Sequence, residues 1–132
     1  MLLLTLGFAL AADPVTLQVT VDGLRNDDGL IRVAVHSSAD TFPGGVPAFT
    51  ASVEPHSRSA VASITLPPGA YAVSVLHDED EDSELDTGLF GIPKEGVGAS
   101  TDVRRMGPPR FRDSVFELTE STSLAIGLTY LL

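Results

Sequence analysis

The sequence predicts an all-β fold, a single antiparallel β-sandwich of about seven strands. Three observations support this. Short segments of alternating apolar and polar residues recur along the chain, stretches rich in Gly, Pro and Asp separate them, and no segment keeps a helical period beyond a turn or two. With 132 residues, of which 43% are hydrophobic, the chain can bury the core of one domain and is short for two.

The first two strands are predicted near the start of the domain. Residues 15–21 alternate apolar and polar side chains, which is typical of a half-buried strand. Residues 25–29 end in Asp-Gly, which favours the positive φ of a tight turn, so we expect a hairpin here. The strand after this turn has Ile31, Val33 and Val35 on one face.

The remaining strands follow a loop rich in Pro and Gly that covers residues 37–47. They are predicted at residues 49–54, 60–66, 71–76, 115–118 and 124–131. Between them, residues 77–109 show no convincing period, and a long stretch of this kind in a compact domain is often functional. The predicted core consists of Leu17, Val19, Val33, Val35, Ile64, Val73, Val75, Phe116, Ile126 and Leu128.

The N-terminal residues resemble an export signal. Residues 1–11 are apolar and uncharged, and Ala9 and Ala11 have the small-x-small spacing of a signal-peptidase site. We therefore expect a signal peptide over residues 1–11, a mature domain over residues 12–132, and a secreted or periplasmic protein. The run is too short to cross a bilayer as a helix, so no membrane span is expected in the mature form. The alternative is a hydrophobic first strand.

The charge and composition exclude several functions. Eighteen acidic residues against eight basic ones give a net charge of -10, which is the wrong sign for nucleic acid or anionic lipid. The absence of cysteine excludes disulfides, thiolate metal sites and cysteine nucleophiles. The chain also lacks the Gly-x-Ser-x-Gly turn of a serine hydrolase. We expect no enzyme, no catalytic residues and no organic cofactor.

The most distinctive feature is an acidic run over residues 78–86, which holds seven carboxylates and no base. Two interpretations remain open: the run is a solvated loop, or a cation collects its carboxylates. The spacing matches positions 1, 3, 5 and 9 of a calcium-binding loop, and oxygen ligands suit calcium or magnesium. The predicted metal ligands are Asp78, Asp80, Asp82 and Asp86.

The match to a calcium loop is incomplete. Ser83 stands where the loop has Gly, and Leu89 stands where it has Glu. A further ligand must then come from outside the run, and the candidates are Glu95, Asp102 and Asp113. His77, just before the run, continues the inward face of its strand; we expect it to be a hydrogen-bonded histidine that closes the sandwich, and not a metal ligand.

A set of short motifs resembles one bacterial family. The motifs are Pro-Pro-Gly-x-Tyr-Ala-Val at 67–73, His-Asp-Glu at 77–79, Leu-Asp-Thr at 85–87, Gly-Ile-Pro-Lys-Glu-Gly at 91–96 and Gly-Pro-Pro-x-Phe at 107–111. Together they resemble the family called domain of unknown function 2141. The resemblance implies an exported protein with a transthyretin-like, carboxypeptidase-regulatory-like sandwich, and it implies no established activity.

The chain departs from the family pattern within the acidic run. Where the family alternates Asn and Gly between these motifs, residues 80–84 read Asp-Glu-Asp-Ser-Glu. The change keeps oxygen ligands at Asp80 and Asp82 and removes the glycines that ease a tight bend.

Three functions are therefore compared. The first is an exported non-catalytic module whose acidic loop binds calcium, with a protein or envelope partner. The second is a structural or oligomerising envelope domain in which the acidic loop is only solvated. The third is a small hydrolase with a carboxylate pair such as Asp86 and Glu95. Binding of calcium separates the first function from the second.

Overall fold

The computed structural model describes residues 13–81, 95–101 and 108–131. Several of the sequence-based predictions lie outside these ranges, among them the export signal at residues 1–11 and the ligands Asp82 and Asp86. The candidate outside ligand Asp102 does so too.

The described residues form eight strands and one short helix. They are β1 (Val15–Asp22), β2 (Leu30–His36), β3 (Phe49–Val53), β4 (Ala60–Leu66), β5 (Gly69–Asp78), β6 (Val97–Ala99), α1 (Phe111–Ser114), β7 (Phe116–Leu118) and β8 (Thr122–Gly127). No helix in this part of the chain has the length and apolar character needed to cross a membrane.

The strands form two sheets, and this confirms the predicted all-β sandwich. One sheet has the order β4-β1-β8, and the other has the order β3-β2-β5-β6, with β7 also paired to β5. All these pairs are antiparallel except β1 with β8, which is parallel. The direction of β8 is not set by a hairpin, because the chain reaches it from β7 in the other sheet.

The predicted hairpin at residues 25–29 is wrong. The strand before it, β1, pairs with β4 and β8, whereas β2 pairs with β3 and β5, so the turn connects the two sheets. Its polar residues serve other contacts: the carboxylate of Asp27 accepts hydrogen bonds from the backbone N–H groups of Ser57 and Arg58 at 3.1 and 2.6 Å. The turn thus holds the β3–β4 loop instead of joining neighbouring strands.

The predicted irregular stretch at residues 77–109 is also partly wrong. His77 and Asp78 complete β5, and β6 pairs with residues 74–76 of β5. No alternation indicated β6, because it has only three residues with Gly98 at its centre. A Cβ on Gly98 would lie 2.7 Å from Cγ2 of Ile126 and 2.9 Å from the carbonyl oxygen of Gly127, so the close approach of β8 requires glycine.

The core lies between the two sheets and follows the predicted alternation. Of the predicted core residues, Phe116 and Leu128 are partly buried at its margin, and all the others are buried. Burying a Val, Leu or Ile side chain contributes about 1.5–3 kcal/mol. The buried side chains of β2 and β5 hold this strand pair against the other sheet. The acidic site lies at one end of the pair.

Candidate metal centre

The acidic site begins where β5 ends beside the start of β2. In this antiparallel pair, Leu30 lies opposite Asp78 and Ile31 lies opposite His77. Because side chains alternate between the faces of a sheet, Asp78 shares its face with Arg32, two residues beyond Leu30. The strand register therefore places an arginine next to the first carboxylate of the acidic run.

Asp78 is fully buried and forms an ion pair with Arg32, whose Nε donates to Oδ2 of Asp78. Arg32 also donates from Nη1 to the hydroxyl of Ser52 on β3 at 3.1 Å, which holds the guanidinium in place. A buried carboxylate without a counter-charge is strongly destabilising. The pair with Arg32 makes the burial of Asp78 possible.

Three carboxylates converge beside this pair. One carboxylate oxygen each from Asp78, Asp80 and Glu95 lie within 4.8 Å of one another. Two oxygens bound to the same calcium ion are at most about 5 Å apart, which is twice the usual calcium–oxygen distance. Asp78 and Glu95 are buried and Asp80 is exposed, so the group opens to solvent on one side. These three residues could hold a metal ion.

Glu95 reaches the group through the pairing of β5 with the segment that leads into β6. The backbone N–H of His77 donates to the carbonyl oxygen of Gly96 at 2.8 Å. The backbone N–H of Glu79 donates to Oε2 of Glu95 at 2.9 Å. From the sequence, Glu95 is only one of three candidates for an outside ligand, because no local pattern shows that residues 77–79 and 95–96 are neighbours.

Glu79 forms an ion pair with Arg25 in the loop before β2. Its carboxylate accepts hydrogen bonds from Nη2 and Nε of Arg25 at 2.6 and 3.1 Å, and from Nδ2 of Asn26 at 2.7 Å. The bond from Arg25 is the main cause that lowers the pKa of Glu79, and it also raises the pKa of Arg25. Glu79 therefore anchors the loop before β2 to the acidic turn.

His77 is fully buried and hydrogen-bonded through both ring nitrogens, as predicted. Its Nε2 donates to the carbonyl oxygen of Asp28 at 2.7 Å, because a carbonyl can only accept. In the neutral ring, Nδ1 then accepts the hydroxyl proton of Tyr130 at 2.7 Å, and the Tyr130 oxygen accepts a hydrogen bond from the backbone N–H of Arg25 at 3.2 Å. Burial raises the pKa of Tyr130. His77 thus supports the site from inside without contributing a metal ligand.

Gly29 lets the loop before β2 lie directly against the acidic turn. Its φ is +65°, and a Cβ there would lie 2.0 Å from the carbonyl oxygen of Asp78 and 2.7 Å from Glu79. The predicted positive φ is confirmed. The close contact with Asp78 and Glu79, which are distant in sequence, restricts this position to glycine more strictly than the φ does. The turn continues with Glu81, which has a φ of +56° and whose N–H donates to the carbonyl oxygen of Asp78 at 3.3 Å.

The structure thus brings two of the four predicted ligands, Asp78 and Asp80, together with Glu95. Asp113 has another partner. It lies in α1, where Nε and Nη2 of Arg110 both contact its Oδ2 at 2.8 Å. Helix α1 packs near the middle of β5, away from the acidic turn, because Ser100, which bonds to Val73, also donates to the carbonyl oxygen of Ser114.

Comparison with known proteins identifies a family and no function. No curated protein and no solved structure matches the chain. The model of a family described as an uncharacterized protein conserved in bacteria (DUF2141) matches residues 19–125, a range that contains the three converging carboxylates. With most of its length matched, the chain belongs to the bacterial DUF2141 family.

Proposed function

We propose that this protein is an exported, non-catalytic β-sandwich module whose acidic site binds calcium. The observation that carries the proposal is the convergence of the Asp78, Asp80 and Glu95 carboxylates within 4.8 Å, with two of the three buried. Carboxylates this close repel one another, and a divalent cation between them removes the repulsion.

The donor set favours a hard cation. All three converging donors are carboxylate oxygens, which calcium and magnesium prefer, whereas zinc favours nitrogen and sulfur. Calcium accepts six to eight oxygens in an adaptable arrangement, and magnesium demands a tighter octahedron and keeps its water. Asp82 and Asp86 remain proposed ligands that complete the shell together with backbone carbonyls or water.

Export, which we propose from the apolar residues 1–11, favours calcium as the ion. Extracellular calcium modules bind at roughly 10⁻⁴–10⁻³ M, and the missing Gly and Glu of the calcium loop argue for this weak range. In this proposal, the signal is removed after Ala11 and the mature protein works in the periplasm or outside the cell. Mass spectrometry of envelope-fraction protein should find Ala12 or a near neighbour as its first residue, and an intact Met1 there would contradict export.

The calcium proposal is tested by thermal unfolding of the purified protein in calcium and in chelator at matched ionic strength. Saturation should raise the melting temperature, because a ligand at a hundredfold excess over its Kd stabilises the fold by about 2.7 kcal/mol. The double variant Asp80→Asn, Glu95→Gln should lose this shift. Gln keeps an oxygen that can accept the Glu79 N–H, so its fold should survive.

Asp40→Asn is the matched control, since it removes one carboxylate from an exposed loop outside the acidic site. It should keep the full calcium shift. Equal melting temperatures of the unaltered protein in calcium and in chelator would contradict the calcium site. They would favour the structural alternative, which is supported by the ion pairs that Arg25 and Arg32 already form with Glu79 and Asp78.

A further inference from the structure

The loop that follows β2 and the segment that leads into α1 form an open groove with a volume of about 660 Å³, which is in the size range of small-molecule sites. The rings of Phe42 and Phe111 meet edge-on in this groove, with their centroids 6.0 Å apart. Part of the lining comes from the Gly-Pro-Pro-x-Phe sequence at 107–111, which has no part in the acidic site. We call this surface the aromatic groove, and its apolar walls are Phe42, Pro43, Pro108, Pro109 and Phe111.

Both walls of the aromatic groove are fixed to neighbouring residues of β5. On one side, the hydroxyl of Ser74 donates to the carbonyl oxygen of Pro43 at 3.3 Å. On the other side, the N–H of Ser100 donates to the carbonyl oxygen of Val73 at 2.9 Å. The hydroxyl of Ser100 donates to the carbonyl oxygen of Ser114, at the end of α1, at 2.8 Å. The groove is therefore formed before any ligand binds, which reduces the ordering cost of binding.

Two arginines add positive charge to this apolar surface. The whole chain has a net charge of -10, yet the described lining of the groove includes Arg110 and Arg112 and no carboxylate. Arg112 is exposed and has no hydrogen bond or ion pair with any residue that the structure describes. A guanidinium of this kind can bind a carboxylate through two parallel N–H groups. The groove therefore offers an apolar wall and a cation side by side.

The acids near the groove limit the charge that it can bind. Asp113 pairs with Arg110, whose Nη2 lies 2.8 Å from Oδ2 of Asp113. Asp40, which is exposed, directly follows Ala39, a residue of the groove lining. These two carboxylates would repel a doubly charged phosphate more strongly than a ligand with one negative charge. The groove therefore suits a carboxylate better than a phosphate.

A buried polar atom lies beneath the apolar wall. His36 is fully buried, and its ring packs edge-on against Phe42 with the centroids 5.4 Å apart. Its Nε2 has no hydrogen-bond partner among the described residues. Buried polar groups in native proteins nearly always have such a partner, so a region packed for stability alone would provide one. This observation is independent of the charge, and it also favours a functional role for the groove.

We infer that the aromatic groove binds a small carboxylic acid with a flat apolar body. The body lies against the rings of Phe42 and Phe111, where burial of apolar surface and edge-to-face contacts stabilise it. The carboxylate binds to the exposed guanidinium of Arg112. No residue of the acidic site takes part, so the inference does not depend on the binding of calcium.

Histidine NMR tests the place of binding, with naphthoate as the probe and chelator present so that no metal is involved. The ring signals of His36 should shift, because its ring contacts Phe42 in the groove wall. The signals of His56, which is exposed between β3 and β4, and of His77, at the acidic site, should not change. We expect saturation with a Kd of about 1 mM or less. Unchanged His36 signals up to about 10 mM naphthoate, or equal shifts of all three histidines, would contradict the inference.

A neutral probe and one substitution test the role of the carboxylate. Naphthylmethanol has the same rings and no charge, so it should bind to the unaltered protein at least about fivefold more weakly than naphthoate. Arg112→Gln should raise the Kd of naphthoate at least about fivefold and change the Kd of naphthylmethanol less than about twofold.

Arg58→Gln is the matched control, because it removes the charge of an exposed arginine outside the groove. It should change the Kd of naphthoate less than about twofold, since exposed charges that are far apart are screened by salt. Equal affinities for the acid and the alcohol, or equal effects of Arg112→Gln and Arg58→Gln on naphthoate, would overturn the inference.

Discussion

The two ends of the β2–β5 pair each hold a fully buried histidine, and their surroundings differ. At the acidic end, both ring nitrogens of His77 have hydrogen-bond partners, in Tyr130 and Asp28. At the other end, Nδ1 of His36 contacts the hydroxyl of Thr41 at 2.9 Å, and Nε2 has no hydrogen-bond partner among the described residues. The His36 ring packs edge-on against Phe42, which in turn contacts Phe111.

The comparison shows that residue type and strand position do not define the role of a buried histidine. His77 belongs to a polar network that holds two loops against the acidic site. His36 fills an apolar end closed by aromatic rings, where burial lowers its pKa and the nearby backbone of Pro43 opposes that shift. If this contrast is correct, the same substitution should lower the free energy of unfolding much more at the acidic end than at the aromatic end.

The largest difference is expected between two glycines in the loops at these ends. Gly29→Ala should destabilise the fold by about 3 kcal/mol or more, because it combines a left-handed backbone with a collision against the Asp78 carbonyl. Gly44, in the loop after Phe42, has open space where a Cβ would lie, with no atom within 4 Å. Gly44→Ala should cost less than about 0.5 kcal/mol. Urea unfolding measures both, and similar losses would show that the loop before β2 is not tightly held.

The histidines themselves should show the next largest difference. His77→Phe should cost about 2–3 kcal/mol, because it leaves the Asp28 carbonyl and the Tyr130 hydroxyl without their partner. His36→Phe should cost no more than about 1 kcal/mol, since it loses one hydrogen bond and gains an apolar fit. Chemical denaturation of both variants at about pH 7.5 tests this order, and a reversed order would contradict the proposed roles.

The smallest difference between the two ends is expected in how the free energy of unfolding depends on pH. Because the pKa of His36 is lowered in the folded protein, the unfolded chain binds a proton more readily below its ordinary pKa of about 6.5. The free energy of unfolding should therefore be constant above that pH and fall as the pH drops toward the lowered pKa of His36.

A second loss of stability should follow at lower pH. The folded-state pKa of Glu79 is also lowered, so its contribution is present above its ordinary pKa of about 4.5 and is lost as the pH falls further. His36→Phe should reduce only the first loss, and Arg25→Gln should reduce only the second. An unchanged first loss in His36→Phe would show that another group titrates there. Unfolding curves from about pH 8 to about pH 3 provide the measurement.

The strands and the inward faces could be predicted because alternation reports burial directly. Val73 and Val75 lie inward on β5, and the same parity correctly places His77 inside. The partners of each strand could not be predicted in this way, since alternation is the same whichever strand lies alongside. The predicted hairpin between β1 and β2 failed for that reason, and the parallel pairing of β1 with β8 was not foreseen.

For the candidate site too, local patterns predicted some features and only the fold shows the others. Local patterns were enough to identify the acidic run, the carboxylates of Asp78 and Asp80, the inward position of His77 and the need for positive φ at Gly29. Only the folded chain shows that Glu95 joins Asp78 and Asp80, that Arg25 binds Glu79, and that Asp113 binds Arg110 instead. These outcomes depend on which distant segments the two sheets bring within a few ångströms, and a carboxylate has no local pattern that records its distant partner.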